Sequence, residues 1–506
     1  MRVLGTVDSC VLAGLEARRV HVECDIGRGN APAFHLVGLA ATTVKEARER
    51  VRSAIKNSGL EYPRTRFTVN LAPAELRKEG AALDLPIAIA IVLALTRRSA
   101  PPNSAFLGEL ALDGTVRHAD GVIVAARSLR ALGYERVFVP AEDAAEAALV
   151  EGVEVIPCAT LVAAVNHLLE VETIAPAHGR LAQLLSGPDT TEHDLTEVQG
   201  QDEAKRALEV AAAGGHHLLL SGPPGAGKTM LARCLPGILP PLELAEALEV
   251  TQVRSLLGDL PRGRPLDWAR PFRSPHHGVS MAGLIGGGSG LAAPGEVSRA
   301  HHGVLFLDEL AEFQTPVLQA LRQPLETGRV SITRSGGSVT YPARFTLIAA
   351  TNPCPCGWTG DNVRACRCTP AAIDMYQRRL SGPLLDRIDL QVAVRRVPVE
   401  HLANEPRGEG SAMVRERVVA ARTRQLDRQG CLNAQLKAAR LRQVAGLGLA
   451  ARRTLERWAA QRGLTARGFH RAWRVARTAA DLDASDDIQE HHVLEALGFR
   501  LQDVAA

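Results

Sequence analysis

The stretch Gly222-Pro223-Pro224-Gly225-Ala226-Gly227-Lys228-Thr229 limits what this chain can fold into more than any other. It follows a short apolar run, His217 to Ser221, and precedes an apolar segment predicted to be helical from Met230. Strand, glycine-rich turn and helix in that order make a phosphate-binding loop at the edge of an α/β sheet. Its glycines let backbone N–H groups close around a β-phosphate, and the helix start adds a favourable dipole. Lys228 places a charge on the β- and γ-phosphates, and the Thr229 hydroxyl is expected to bind Mg²⁺.

Two further apolar runs end in the polar groups such a loop needs. Val304 to Leu307 runs into Asp308 and Glu309. Asp308 is expected in the Mg²⁺ shell and Glu309 as the group that polarises the attacking water. Phe345 to Ala350 ends in Thr351-Asn352, where Asn352 either positions that water or simply forms a turn.

These residues resemble the AAA+ superfamily, which implies ATP as the nucleotide. Gln199-Gly200-Gln201, before a helix expected over Asp202 to Ala213, resembles the family's adenine-side turn and adds Gly200 and Gln201 to the candidate cofactor contacts. Ser381 to Asp389 (SGPLLDRID) resembles the segment carrying the trans-acting arginine finger, here Arg387; the alternative is a structural Arg387–Asp389 pair. Arg467 resembles the lid's sensor arginine, although Arg471, Arg474 and Arg477 on the same expected helix compete for that role. A finger acting in trans implies a ring, by resemblance a homo-hexamer.

Two insertions narrow the branch. Phe272 to Gly290 holds Arg273-Ser274-Pro275-His276-His277 and the run Gly286-Gly287-Gly288-Ser289-Gly290, too glycine-rich to be core. His276 and His277 read most simply as turn histidines, with contact to ligand or DNA the alternative. Arg329 to Arg334 and Ser338 to Tyr341 flank Ser335-Gly336-Gly337, a predicted β-hairpin with Arg334 at its tip. Arg334 is either a DNA-phosphate contact or a solvated charge. With Arg270 to Phe313, Thr351 to Gly357 and Arg467 to Leu482, the chain resembles the ComM/YifB type of magnesium-chelatase-like ATPase over essentially its whole length. That resemblance implies ATP-driven helicase and branch-migration activity on single-stranded, forked or branched DNA, aiding DNA integration in natural transformation. A chelatase- or chaperone-type motor remodelling a protein would have the same ATP site.

Four of the nine cysteines form two C-x-C pairs, Cys354/Cys356 and Cys366/Cys368. Four thiolates brought together by one short loop suit structural Zn²⁺, with free thiols the alternative. Residues 1–175 alternate strands with Ala-rich helices and resemble the proteolytic domain of Lon, with its ribosomal-S5-like fold, at Val69 to Ala74, Arg77 to Gly80 and Gly108 to Gly114. The register puts Ala82 and Ile123 where a serine–lysine dyad would stand, and Lys78 and Ser128 fall outside those slots. This unit is therefore expected to be catalytically degenerate. A linker is expected at 176–194, an ATPase core at 195–398 and a helical lid at 399–506. The longest apolar run, Leu83 to Thr96, is too short to span a membrane. With no leader pattern either, a cytoplasmic location is expected. The net charge of +4 is too small to argue for a nucleic-acid partner by itself, although 401–506 carries 18 Lys/Arg against 12 Asp/Glu.

Overall fold

Alternating apolar residues build the first sheet. Val7, Ser9 and Val11 of Leu4–Leu12 and Val20, Val22 and Cys24 of Ala17–Ile26 are buried at alternate positions, and the two strands pair as an antiparallel hairpin. Five more strands complete a seven-stranded mixed sheet in the order 33–37, 66–72, 17–26, 4–12, 104–106, 136–140, 154–158. The computed structural model describes residues 4–27, 33–38, 42–76, 78, 80–179, 192–261, 263–288, 292–334, 337–361, 363–380, 384–397 and 408–500. Arg77, Glu79, most of the expected linker (180–191), Ser289-Gly290, Ser335-Gly336, Ser381 to Pro383 and residues 398–407 lie outside them. The apolar run noted above forms the helix Asp84–Thr96, buried on all sides from Asp84 to Ala94. A helix apolar all round needs such a central position. Its one buried acid, Asp84, accepts two hydrogen bonds from Arg50 at 2.7 and 3.0 Å. Among the described residues no helix is long and apolar enough to cross a membrane.

The second sheet is wholly parallel, in the order 272–273, 304–307, 346–351, 218–221, 390–393. The strands Val304–Leu307 and Thr346–Thr351 are buried throughout, as expected where both faces are covered. Because all five strands run the same way, Ser221, Leu307 and Thr351 end on one edge. The C-terminal region is helical: Ser411–Gln429, Ala438–Val444, Leu449–Arg462, Ala466–Leu482 and Glu490–Gly498. It docks on the helix Asp202–Gly214, whose carbonyls of Ala212 and Ala213 accept from Arg422 and Gln425. The sequence pattern predicts a helix over Ser485 to Leu497, and it begins at Glu490 instead. Arg477 binds the carbonyls of Ser485 and Asp486, leaving them unavailable to a helical ladder, and Gln489 and His492 form a capping box.

The two sheets meet through helices. Val122–Ala131, behind the first sheet, packs on Leu244–Leu256 of the second, burying Ile123, Val124, Val250 and Ala247 together. Arg127 donates to Gln252 at 2.8 Å, and Ser255 donates to buried Glu146 at 2.5 Å.

Candidate nucleotide-binding site

The phosphate loop leaves the strand Leu218–Ser221 and enters the helix Lys228–Ile238, which starts two residues earlier than the apolar pattern indicates. Gly225 and Gly227 have φ of 77° and 93°, and a Cβ on either would meet open space. The loop is thus a cradle whose conformation, rather than crowding, demands glycine. Gly222 is different: a Cβ there would strike the Val394 carbonyl. The open cradle at a helix start fits a triphosphate.

Lys228 is buried and donates to the carbonyls of Gly222 (2.7 Å) and Pro223 (2.9 Å) and to Asn352 Oδ1 (3.2 Å). Burial pushes its ammonium pKa down, against the opposing pull of Asp308 and Glu309. Thr229 Oγ1 donates to Asp308 Oδ2 at 3.0 Å, so the two candidate Mg²⁺ ligands already share one point in space. Glu309 follows with φ 52° and ψ 49°, a left-handed conformation uncommon outside glycine. Its carboxylate is half exposed and faces His277 Nδ1 at 3.3 Å. By sequence His277 reads most simply as a turn residue; the fold carries it from the glycine-rich insertion to the candidate base. Gln201, also left-handed at φ 60°, donates to the carbonyls of Ala226 (3.2 Å) and Arg395 (2.5 Å). Together with Gly200, at φ 58°, it makes the tight turn that closes the other side of the loop.

Arg387 lies elsewhere. The strand Leu390–Ala393 runs parallel to Leu218–Ser221, so the turn Leu385–Arg387 that precedes it sits at the sheet edge away from the phosphates. Arg387 pairs with Glu326. Asp389 does not take it, being held instead by His216 Nδ1 at 2.8 Å, so the alternative Arg387–Asp389 pair is not formed. Arg471, Arg474 and Arg477 are also spoken for. Arg471 donates to the carbonyls of Leu385 and Ile388, Arg474 to those of Ala434 and Leu436, and Arg477 to Asp481. Arg467 is exposed in the first turn of Ala466–Leu482.

The hairpin Arg329–Arg334/Gly337–Pro342 forms as expected and leans on the glycine-rich insertion. A Cβ on Gly286 would meet Ile332 Cδ1 at 2.6 Å, and one on Gly287 would meet Arg334 at 3.3 Å. Tyr341 donates to the Ala292 carbonyl at 2.5 Å. The two insertions are therefore one packed unit with Arg334 exposed at its tip.

The four candidate zinc cysteines converge, with all Sγ atoms within 4.8 Å of one another and three of the separations at 3.4, 3.7 and 3.6 Å. Tetrahedral Zn²⁺ with bonds of about 2.3 Å requires S···S edges of about 3.8 Å. Thr359 donates its N–H to Cys354 Sγ at 3.4 Å and its hydroxyl to Cys366 Sγ at 3.0 Å, and such bonds favour thiolates. Backbone N–H groups of Arg367 and Trp358 hold the Cys356 thiol down at about 6. The donor set fits zinc. Gly357, at φ 83°, sits against Pro224 of the phosphate loop, where a Cβ would meet the proline ring at 2.6 Å. A metal at these four sulfurs would thus brace the nucleotide cradle. By contrast, Glu249, His301 and His302 do not suit a metal. His301 Nδ1 accepts the Arg344 N–H at 3.0 Å, so its proton sits on Nε2, which donates to Glu249 at 2.8 Å.

In the first sheet's domain, Lys78 is buried on the Pro73 carbonyl, while Ser128 Oγ accepts from the Ala17 N–H at 2.9 Å. The two are engaged separately. Ile123 is buried in the interface with Leu244–Leu256, and Ala82 lines the core beside it.

Known proteins share this chain's pattern along its length. Residues 194–402 match the family "Magnesium chelatase, subunit ChlI", 22–143 match "Subunit ChlI of Mg-chelatase", and 408–500 match "Magnesium chelatase, subunit ChlI C-terminal". The protein YifB of Salmonella typhimurium is 44% identical over 99% of this chain and 97% of its own length. YifB of Escherichia coli is 43% identical over 99% and 97%. Competence protein ComM of Haemophilus influenzae is 44% identical over 98% and 97%. With relatives this similar along nearly its whole length, the chain belongs to the ComM/YifB type of magnesium-chelatase-like proteins, in an AAA+ family of ATPases that use ATP and Mg²⁺.

Proposed function

We propose that this protein is a ring-forming AAA+ motor, a homo-hexamer, that hydrolyses ATP to move DNA in helicase or branch-migration reactions. The observation that carries the reading is the continuous path from the nucleotide loop to the packed insertion-and-hairpin unit, made by His277 and Glu309. In this reading Lys228 and Thr229 hold the triphosphate and its Mg²⁺ with Asp308. Glu309 draws the proton from the attacking water while Asn352 orients it. Arg387 of a neighbouring subunit neutralises charge developing on the γ-phosphoryl oxygens, and Arg467 senses the nucleotide from the lid. Arg334 meets the DNA backbone. Four thiolates would hold a zinc ion that stiffens the loop. The domain of residues 1–175 is a catalytically silent relative of the Lon proteolytic fold.

The name of the Haemophilus relative, a competence protein, supports DNA as substrate and a role in natural transformation. The chelatase matches along the chain favour the second reading, in which the same motor remodels a protein partner. Steady-state ATPase with and without single-stranded and forked DNA, at two salt concentrations, separates them. Strong salt-sensitive stimulation is expected. Rates indifferent to every DNA would sink the DNA reading.

A further inference from the structure

A groove of about 900 Å³ opens in the first sheet's domain, between the helix Thr42–Asn57 and the edge strand Ala33–Val37. The helix face toward it carries Arg48, Arg52 and Lys56, all exposed, at i, i+4 and i+8. That spacing lines three cations along one side at intervals of about 6 Å. Arg50, on the same helix, is turned inward to Asp84, so the outward stripe is separate from the residue the core uses. Arg64 adds a fourth cation to the lining; among the described residues the acids there are Glu49, 3.7 Å from Arg48, and Glu61.

The floor is aromatic. Phe34 stacks on Phe67 with ring centroids 4.7 Å apart, and Tyr62 meets Phe67 edge-on at 5.5 Å. Lys56 Nζ stands 5.6 Å from the Tyr62 ring centroid. A row of cations beside partly exposed aromatic rings serves two needs at once: charge for a phosphate chain, and flat apolar faces for unstacked bases. A duplex keeps its bases stacked and would use only the charges. An acidic peptide would likewise leave the rings without a matching partner.

We propose that this groove binds single-stranded nucleic acid, with phosphates along Arg48, Arg52 and Lys56 and bases against Phe34 and Tyr62. The site rests on the DNA reading above and adds a second contact region, distinct from the hairpin unit that carries Arg334. Through it the catalytically silent domain holds a displaced strand beside the motor.

The test is fluorescence anisotropy of a labelled oligo-dT 20-mer titrated with the full-length protein at several salt concentrations. Four proteins are compared: wild type, the triple variant Arg48→Ala/Arg52→Ala/Lys56→Ala, the conservative Arg48→Lys/Arg52→Lys, and a charge-matched control, Arg440→Ala/Arg442→Ala/Arg453→Ala, altered at exposed lid residues. The groove variant should bind about ten-fold or more weakly, with the log–log salt slope shallower by about 2, as three lost phosphate contacts require. The control should bind as wild type does. Arg48→Lys/Arg52→Lys should keep most of the affinity, and ATPase without DNA should be unchanged in all variants. If wild type binds oligo-dT and both triple variants bind equally well, the groove proposal fails while the DNA reading stands. An equal loss in both triple variants also overturns it, in favour of diffuse charge. If wild type binds no oligo-dT at low salt, the groove proposal fails, and the ATPase comparison with forked DNA decides the DNA reading separately. A polyglutamate peptide that binds wild type in place of oligo-dT, and is lost in the groove variant, would reassign the groove to an acidic protein segment.

Discussion

The two sheets bury their apolar residues equally well, yet only the parallel one gathers chemistry on an edge. In the sheet 272–273, 304–307, 346–351, 218–221, 390–393 every strand runs the same way, so Ser221, Asp308 and Asn352 arrive side by side. In the seven-stranded sheet, antiparallel pairs such as Leu4–Leu12 with Ala17–Ile26 send their ends to opposite edges. Polar residues there pair across strand faces, as His21 does with Asp8, or sit on helices: Arg50 and Asp84 inward, Arg48, Arg52 and Lys56 outward. Strand direction, more than composition, decides which sheet brings polar strand ends together on one edge.

Breaking the ATP site, at the phosphate edge of the parallel sheet or through Arg387 at its opposite edge, should cost the most. On the proposed role of Arg387 as a finger serving a neighbour's site, Arg387→Ala should lower ATPase about 10³-fold or more while each subunit still binds ATP. Glu309→Gln should lower turnover by about 10²- to 10⁴-fold with nucleotide binding intact. Mixing the two variants should restore activity, since an interface with a wild-type Glu309 and a wild-type Arg387 is complete. Rings of mixed subunits that stay inactive at every ratio would count against a finger in trans. Removal of Lys228 tests the phosphate edge from the binding side: Lys228→Ala should abolish binding of an ATP analogue in a filter assay.

The cysteine cluster sharpens the comparison, because it braces the catalytic edge and, among the described residues, has no counterpart in the other sheet. The purified protein should carry one zinc per chain by atomic absorption. Cys356→Ser, or chelation, should lower the melting temperature by roughly 2–8 °C and weaken ATP binding through Gly357 and Pro224. Zinc-free protein with unchanged melting and ATP affinity would leave the four sulfurs as ordinary thiols.

The sequence displays the catalytic edge well and its connections poorly. Gly222 to Thr229, Asp308 and Asn352 are legible because a phosphate loop fixes both residue type and strand order. The burial of Leu83 to Thr96 is legible because an apolar helix has nowhere else to go. His277 and Glu309 are 32 positions apart, and nothing in the spacing says that an insertion folds back onto the base. The packing of Ile332 on Gly286 is a tertiary contact of the same kind. Nor does Ser485 announce that Arg477 takes its carbonyl and stops a helix from starting there.

The helix Leu244–Leu256 joins the two sheets, and the acids it turns toward Arg270, His301 and His302 of the second sheet's region carry a pH signature. Glu246 is half-buried; burial would raise its pKa, but the His302 hydrogen bond and Arg270 outweigh this and hold it at about 2. A depressed carboxylate contributes stability that is fully present above its unfolded value near 4.5 and is lost as pH falls toward about 2. His302, raised by the same acids, contributes stability that is present below its ordinary value and lost as pH climbs past the raised one. Urea unfolding of wild type should therefore weaken between pH 5 and pH 3, and Glu246→Gln should show a flatter slope there. Parallel slopes in the two proteins would place the acid sensitivity elsewhere.

The smallest expected change tests whether the insertion reports to the catalytic edge at all. His277 Nδ1 stands 3.3 Å from the Glu309 carboxylate. In the proposed mechanism Glu309 polarises the attacking water, so a partner that competes for its carboxylate is expected to slow hydrolysis. A half-exposed pair of this kind is worth at most about 1 kcal/mol, which corresponds to roughly a five-fold change in rate. His277→Ala should raise ATPase without DNA by about two- to five-fold and narrow the ratio of DNA-stimulated to basal rate by the same factor. His277→Gln, which keeps a hydrogen-bond donor, should fall between. If His277→Ala instead lowers basal and stimulated rates equally, the histidine supports the fold of the insertion, and the two edges of the comparison work independently.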